Sequence, residues 1–336
     1  VTNWQPRFSH LYVERAAAED PLSEQLRARY AKATVVWIDD YQEVFGRSGQ
    51  DFAAQKASPK LILARKKTDF LYPGNDYVQD FAYPNFYYNA LVLNCPYDCR
   101  YCYLQGMYPS ANLVVFTNRE DYEAATVAKL RSLPVGEKLH LALSYDTDLL
   151  ALENLLGAVR AWLPLLRREP QLIAEVRTKS AAFSALAEET PCDRLILAWT
   201  LSPAAVAREH EPLTPSLEVR LRAAKAAQEA GWNVRLCFDP LLRVPDWPRQ
   251  YAELLEQTFA ALDASKIENV SVGVFRMAAD YFKKVKRMGR TPLLLSPMAR
   301  ANNAVSYPGN VRAEMAEWFR LELARYVPES SIYLWT

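Results

Sequence analysis

The stretch Ala90-Leu91-Val92-Leu93-Asn94-Cys95-Pro96-Tyr97-Asp98-Cys99-Arg100-Tyr101-Cys102-Tyr103-Leu104-Gln105 carries an unbroken apolar run into a C-x3-C-x2-C loop. The run reads as a buried strand, because a strand covered on both faces shows continuous rather than alternating hydrophobicity. The loop offers three thiolates, not four. A closed zinc site takes four ligands, and an ordinary [4Fe–4S] centre takes four cysteines. Three cysteines on one short loop can hold three irons of a cubane and leave the fourth open to a substrate or cofactor. The competing readings are a structural metal site or a chance grouping of buried thiols, since free cysteine often behaves as a small hydrophobe. Only Cys192 and Cys237 lie outside the run.

Outward from this loop the pattern is a regular strand–helix alternation. After Ala90–Leu93 the strand candidates are Leu139–Leu143, Leu172–Val176, Leu195–Trp199, Val234–Phe238 and Val270–Val274. Apolar strands separated by helices argue for a parallel sheet covered on both sides. Six units fall short of a full eight-unit barrel of ~250 residues. The expected fold is therefore α/β, a partial (β/α)6 TIM-type barrel. In such folds reactive loops follow the carboxyl ends of strands, and the cysteine loop takes that place. Upstream, His10–Val13, Thr34–Trp37 and Lys60–Ala64 read as strands and Ser23 to Lys32 as a helix, with turns at Tyr72–Asp76 and Tyr83–Asn85. The expected organisation is an N-terminal α/β accessory segment (1–88), a partial barrel (89–276) and a C-terminal basic loop with a packing helix (277–336). The helix is placed over Arg312 to Arg325, and Ile332–Trp335 reads as a packing element.

Composition narrows the class. Half of the 336 residues are hydrophobic and 24% are charged, an ordinary globular balance. No apolar run approaches the ~20 residues of a membrane span, so no membrane partner is expected. Val1-Thr2-Asn3-Trp4 is not a secretory signal and begins without Met, so a trimmed terminus is expected. Five cysteines, three of them in one motif, suit a reducing cytoplasm. The net charge of +1, from 40 basic and 39 acidic residues, lacks the excess of Lys and Arg that duplex binding normally brings. His10, His140 and His210 are scattered and make no metal spacing with the cysteines.

The cysteine spacing, with an aromatic residue just before the third cysteine, resembles the signature of the radical S-adenosylmethionine (SAM) superfamily. Cys99-Arg100-Tyr101-Cys102-Tyr103-Leu104-Gln105 resembles, more narrowly, the cluster loop of the spore photoproduct lyase family. Val176-Arg177-Thr178-Lys179, Thr200-Leu201-Ser202 and Glu211-Pro212-Leu213-Thr214-Pro215-Ser216 resemble later segments of that family. The resemblance implies a [4Fe–4S] cluster on Cys95, Cys99 and Cys102, with SAM as the second cofactor. It implies that Tyr101 lies against adenine, that Thr147 and Lys179 meet the SAM carboxylate, that Thr200 lies near the ribose, and that Asp148 closes the second strand loop. The implied reaction is reductive cleavage of SAM to a 5′-deoxyadenosyl radical, which takes hydrogen from a methylene-linked thymine dimer in DNA. Damaged DNA and an electron donor such as flavodoxin or ferredoxin are the implied partners.

Two departures stand beside the resemblance. The family's hydrogen-donor cysteine is replaced by Tyr145, while Tyr103 is retained. Either Tyr145 donates hydrogen, or Cys237 has taken over, or the final quench is not needed because the substrate differs. Cys237 shares strand parity with Asp239, so both are placed toward the barrel interior. The second departure is in the lesion-prising hairpin, where Lys283, Lys284, Lys286, Arg287 and Arg290 form a basic run around Gly289 and Ala299–Asn303 follows. These cations hold phosphate or form a solvated charged loop.

Overall fold

The computed structural model describes residues 6–74 and 78–335. Val1–Trp4 and, within the expected turn, Asn75 and Asp76 lie outside them. Two sheets dominate. The first has the spatial order Thr34–Ile38, His10–Glu14, Leu61–Ala64, Leu113–Phe116, Val92–Leu93, with every pairing parallel except the last. The second is a curled, mainly parallel sheet in the order Tyr72–Pro73, Phe86–Tyr88, Leu139–Ala142, Leu172–Thr178, Leu195–Thr200, Asn233–Leu241, Ile267–Val274, Ile332–Trp335. The six strands from Phe86–Tyr88 to Ile267–Val274 adjoin in chain order and are all parallel, forming the partial barrel.

The run Ala90–Leu93 is not a barrel strand. Only Val92–Leu93 is extended, and it pairs antiparallel with Leu113–Phe116 in the first sheet. Apolarity marks burial, not the sheet a segment joins. The true first barrel strand is Phe86–Tyr88, an aromatic triplet that pairs with His140–Ala142. Asn94 then adopts φ 69°, the left-handed region that asparagine tolerates, and turns the chain into the cysteine loop.

The C-terminal third adds three pieces. Ala279–Arg287 is a helix, not a loop, with Ala279, Phe282 and Val285 buried and its lysines outward. A small antiparallel sheet joins Arg276–Ala278 to a hairpin whose strands are Ala299–Ala301 and Ala304–Ser306. The helix expected near 312–325 spans Gly309–Leu323 and buries Met315, Ala316, Phe319 and Leu323. Ile332–Trp335 is a barrel strand, parallel to Val270–Gly273. Among the described residues no helix is long and apolar enough to cross a membrane.

Candidate active site

The cysteine loop is pinned from several sides. Lys56 Nζ donates to the Cys95 carbonyl (2.5 Å) and the Tyr97 carbonyl (2.7 Å). Gln105 Nε2 donates to the Cys99 carbonyl at 2.6 Å. Arg290 grips both Asp98 oxygens (2.9 and 2.5 Å) and Gln105 Oε1 (2.9 Å). The Asp98 and Arg100 amides donate to the Pro212 and His210 carbonyls. Arg290, expected among the phosphate-holding cations, is thus engaged beneath the loop. Lys283, Lys284, Lys286 and Arg287 remain exposed on the neighbouring helix.

Burial raises the Cys95 thiol to about 12 and lifts Cys99 and Cys102 above the usual thiol range. Cys102 lies within electrostatic reach of both Cys95 and Cys99. Thiols held this way give up their protons to a metal rather than to water, since metal binding releases protons from its ligands. Among the described residues no three His, Cys, Asp or Glu side chains are arranged around a single ion. A cluster that takes one iron per cysteine does not ask for that arrangement.

Facing the loop is a buried polar hub. Glu211, fully enclosed, accepts from Lys179 Nζ (2.7 Å), Ser202 Oγ (2.8 Å), Arg220 Nη2 (2.5 Å) and the Tyr101 hydroxyl. Burial alone would raise its pKa, but Arg220 and Lys179 outweigh that and hold the carboxyl well below the usual range. Lys179 also donates to the Tyr101 hydroxyl at 3.0 Å. One carboxylate serves two cations, and Arg220 has no exposed side-chain surface while Lys179 keeps 15%. Lys179 is therefore the less enclosed of the two cations. Arg220 also donates to the Thr200 carbonyl at 3.3 Å, which ties down that strand end.

The loop after Leu139–Ala142 completes the site. Asn89 Oδ1 accepts from the Ser144 amide (2.7 Å), and Ser144, at φ 53°, accepts from the Val92 amide through Oγ (3.1 Å). These bonds knit the segment carrying Tyr145 to the one carrying the cysteines. Asp148 accepts from Thr178 Oγ1 (2.7 Å), the Lys179 amide (2.6 Å) and the Ala151 amide (3.0 Å). Thr147 Oγ1 is buried with no partner among the described residues. The Tyr103 hydroxyl stands 3.3 Å from both the Tyr145 carbonyl and Asp146 Oδ1. The Tyr145 ring lies 6.3 Å from Tyr103 and 5.3 Å from Tyr88. Burial pushes the Tyr145 phenol up to about 12, so it keeps its hydrogen at neutral pH. Cys237 is fully buried inside the barrel, in register with Thr200 and Ser271.

With this geometry in view, comparison with known proteins is direct. A profile of the spore photoproduct lyase family matches residues 5–290. The chain belongs to the spore photoproduct lyase family. That family is one of radical SAM lyases. The spore photoproduct lyase of Geobacillus sp. (strain Y412MC61) is 21% identical, over 97% of this chain and 98% of the relative. A solved variant of spore photoproduct lyase superposes with a TM-score of 0.85 at 18% identity, covering 99% of this chain and 98% of the other. A second variant, solved with bound AdoMet and dinucleoside spore photoproduct, has a TM-score of 0.84 at 19% identity, with 98% of each chain covered.

Several residues that shape this family member's site escaped the sequence reading. Glu211 was visible as the acid opening Glu211-Pro212-Leu213-Thr214, but a lone carboxylate beside proline signals nothing by itself. Arg220 lies on a helix and looks like a surface cation until its side chain is seen to be wholly buried. Asp146, which accepts from Tyr108 at 2.8 Å as well as from Tyr103, was passed over between Tyr145 and Thr147.

Proposed function

We propose that this chain is a radical SAM lyase acting on a thymine-dimer lesion of the spore photoproduct type. The observation that carries this is the three-cysteine loop whose Tyr101 hydroxyl meets Lys179, in a chain matched along most of its length by the lyase family. A [4Fe–4S] cluster and SAM, when bound, supply a one-electron cleavage that yields a hydrogen-abstracting 5′-deoxyadenosyl radical.

The chain's own groups do the rest. Cys95, Cys99 and Cys102 would hold the cluster. Lys179, held by Glu211 and Tyr101, offers a charge-assisted bond to the amino-acid carboxylate of SAM. Thr147 offers its free hydroxyl to the same group. Tyr101 and Thr200 line the adenosine side, and Asp148 holds the ends of the second and third barrel strands together by its three accepted bonds. Tyr145, at the family's donor position and enclosed beside Tyr103, gives its phenolic hydrogen atom to the substrate-derived radical and becomes a phenoxyl, which an electron from the one-electron donor and a proton restore. A phenol holds its hydrogen more strongly than a thiol does, so the return is expected to be slower than in a cysteine enzyme. Lys283, Lys284, Lys286 and Arg287 present a basic helix face to the phosphates of the flanking strand. The one-electron donor is expected to be a flavodoxin or ferredoxin.

The test uses anaerobically reconstituted, reduced protein with SAM and DNA carrying spore photoproduct. Restored thymine and 5′-deoxyadenosine above a Cys99→Ala control are expected. SAM cleavage without repair would move the substrate elsewhere, the reading that Tyr145 in place of cysteine favours. No 5′-deoxyadenosine at all would end the radical assignment.

A further inference from the structure

The inner face of the barrel carries more charge than a packed core needs. Ala198 pairs in register with Arg177 on one side and Arg235 on the other, and its small side chain leaves room for both. Arg235 is 1% exposed and fully engaged. It pairs with Glu175, donates to Asn269 Oδ1 (2.6 Å) and the Tyr83 hydroxyl (2.9 Å), and lies 3.7 Å from the Phe81 ring centre.

Nearer the carboxyl ends of the strands the balance changes. Arg276 meets Asp239 through two contacts of 3.2 and 3.3 Å, and Arg177 stands 3.8 Å from the same carboxylate. Arg177 also donates to Glu175 (3.2 Å), already paired with Arg235, and to Gln79 Oε1 (2.9 Å). Among the described residues three guanidiniums therefore share two carboxylates. Cys237 does not redress this, because burial raises its thiol pKa and keeps it neutral. Tyr145 is also neutral, and lies within electrostatic reach of Arg177, Asp239 and Arg276.

Unmet hydrogen-bonding groups collect at the same place. Arg276 Nε and Gln79 Nε2 are buried without partners among the described residues, and Gln79 is only 1% exposed. Native structures rarely leave such groups unpaired unless a ligand or water meets them. A surplus cation in a partly dry site is likewise stable only when an anion joins it. Gly273 lets this ion pair lie close against its strand: a Cβ there would come within 2.8 Å of both Arg276 Nη1 and Asp239 Oδ1. The Arg276 guanidinium is fixed from one side by Trp335, whose ring centre is 3.2 Å away.

We propose that Arg177 and Arg276, braced by Asp239, form an anion site at the barrel mouth that takes a phosphodiester of the substrate beside Tyr145. The proposal rests on the lesion-lyase reading and adds to it the group by which the lesion is held. A guanidinium fork matches phosphate oxygens in shape and charge, and Asp239 fixes the direction in which the Arg276 fork points. Arg276 is also in register with Ser306 of the hairpin, so the site stands where barrel and hairpin meet.

The test compares spore photoproduct as a dinucleotide, with its bridging phosphate, and as a dinucleoside, without it. Binding is measured by calorimetry on the reconstituted, SAM-loaded, unreduced protein, where no turnover occurs. The dinucleotide is expected to bind at least about tenfold more tightly. Arg276→Gln and Arg177→Gln should each remove most of that difference while leaving dinucleoside affinity unchanged, and Arg276→Lys should restore part of it. Equal affinity for the two ligands in the unaltered protein would overturn the anion site and leave the lesion reading standing. Binding of neither would remove both. Parallel loss of both ligands in the variants would make the arginines structural and also overturn the proposal; if Arg276→Gln does not fold, Arg177→Gln decides alone.

Discussion

A single histidine shows how the barrel's charges reach its stability. His140 stacks on Tyr83 at 3.5 Å, with the ring planes 10° apart. Burial first, then the charges of Arg235 and Lys138, push its pKa from 6.5 to about 4. Because the folded value lies below the unfolded one, the unfolded chain takes up the proton first as pH falls. Stability is thus full above about 6.5 and is lost as pH drops toward about 4. His140→Gln should remove that dependence. Urea unfolding of the metal-free protein should show the unaltered chain losing on the order of 1 kcal/mol more than the variant between about pH 7 and pH 5. Parallel losses would place the acid sensitivity elsewhere. At this scale the sequence displayed the three cysteines by type and spacing, and pointed to Tyr103, Tyr145 and Lys179 only through the family resemblance. It could not display Glu211, Arg220 or Asp146, whose roles come from partners distant in sequence.

Among elements, the short helix Leu104–Met107 that closes the cysteine loop sits on the backbone of helix Ala279–Arg287. Gly106 makes that contact: a Cβ there would lie 2.5 Å from the Tyr281 carbonyl oxygen and 2.6 Å from its Cα. Backbone cannot swing aside as a side-chain tip can. Gly106→Ala should cost about 1–3 kcal/mol by overpacking and should lower iron per chain after reconstitution, because the loop loses its seat. Gly309→Ala, with open space around the added methyl, is the control and should lower neither the melting midpoint nor iron content. A Gly106 variant matching that control would dissociate the helix contact from cluster loading. The same contact explains why the basic run is a helix. Phe282 and Val285, three apart, turn inward together, while Lys283, Lys284 and Lys286 turn outward. Charge density suggested a loop, but the apolar spacing decided the element.

For the molecule as a whole, the last strand is a structural closure. Ile332–Trp335 pairs with Val270–Gly273, Tyr333 donates to Asp80 at 3.1 Å, and Trp335 covers Arg276. Ending the chain after Ser331 would leave Ile267–Val274 as an open, apolar edge, which invites pairing between chains. Scanning calorimetry and light scattering should show a lowered midpoint and association; a monodisperse protein with an unchanged midpoint would show the strand to be dispensable. By itself, the sequence determined the α/β class, the strand–helix alternation and the three-thiol loop with its family, because hydrophobic period and cysteine spacing are local properties. Tertiary structure alone decided that Val92–Leu93 joins the first sheet and Phe86–Tyr88 the barrel, that Arg290 braces the cysteine loop, and that Arg177, Asp239 and Arg276 meet at its mouth. Those outcomes depend on which distant groups share a buried space, and burial sets whether a charge must find a partner there.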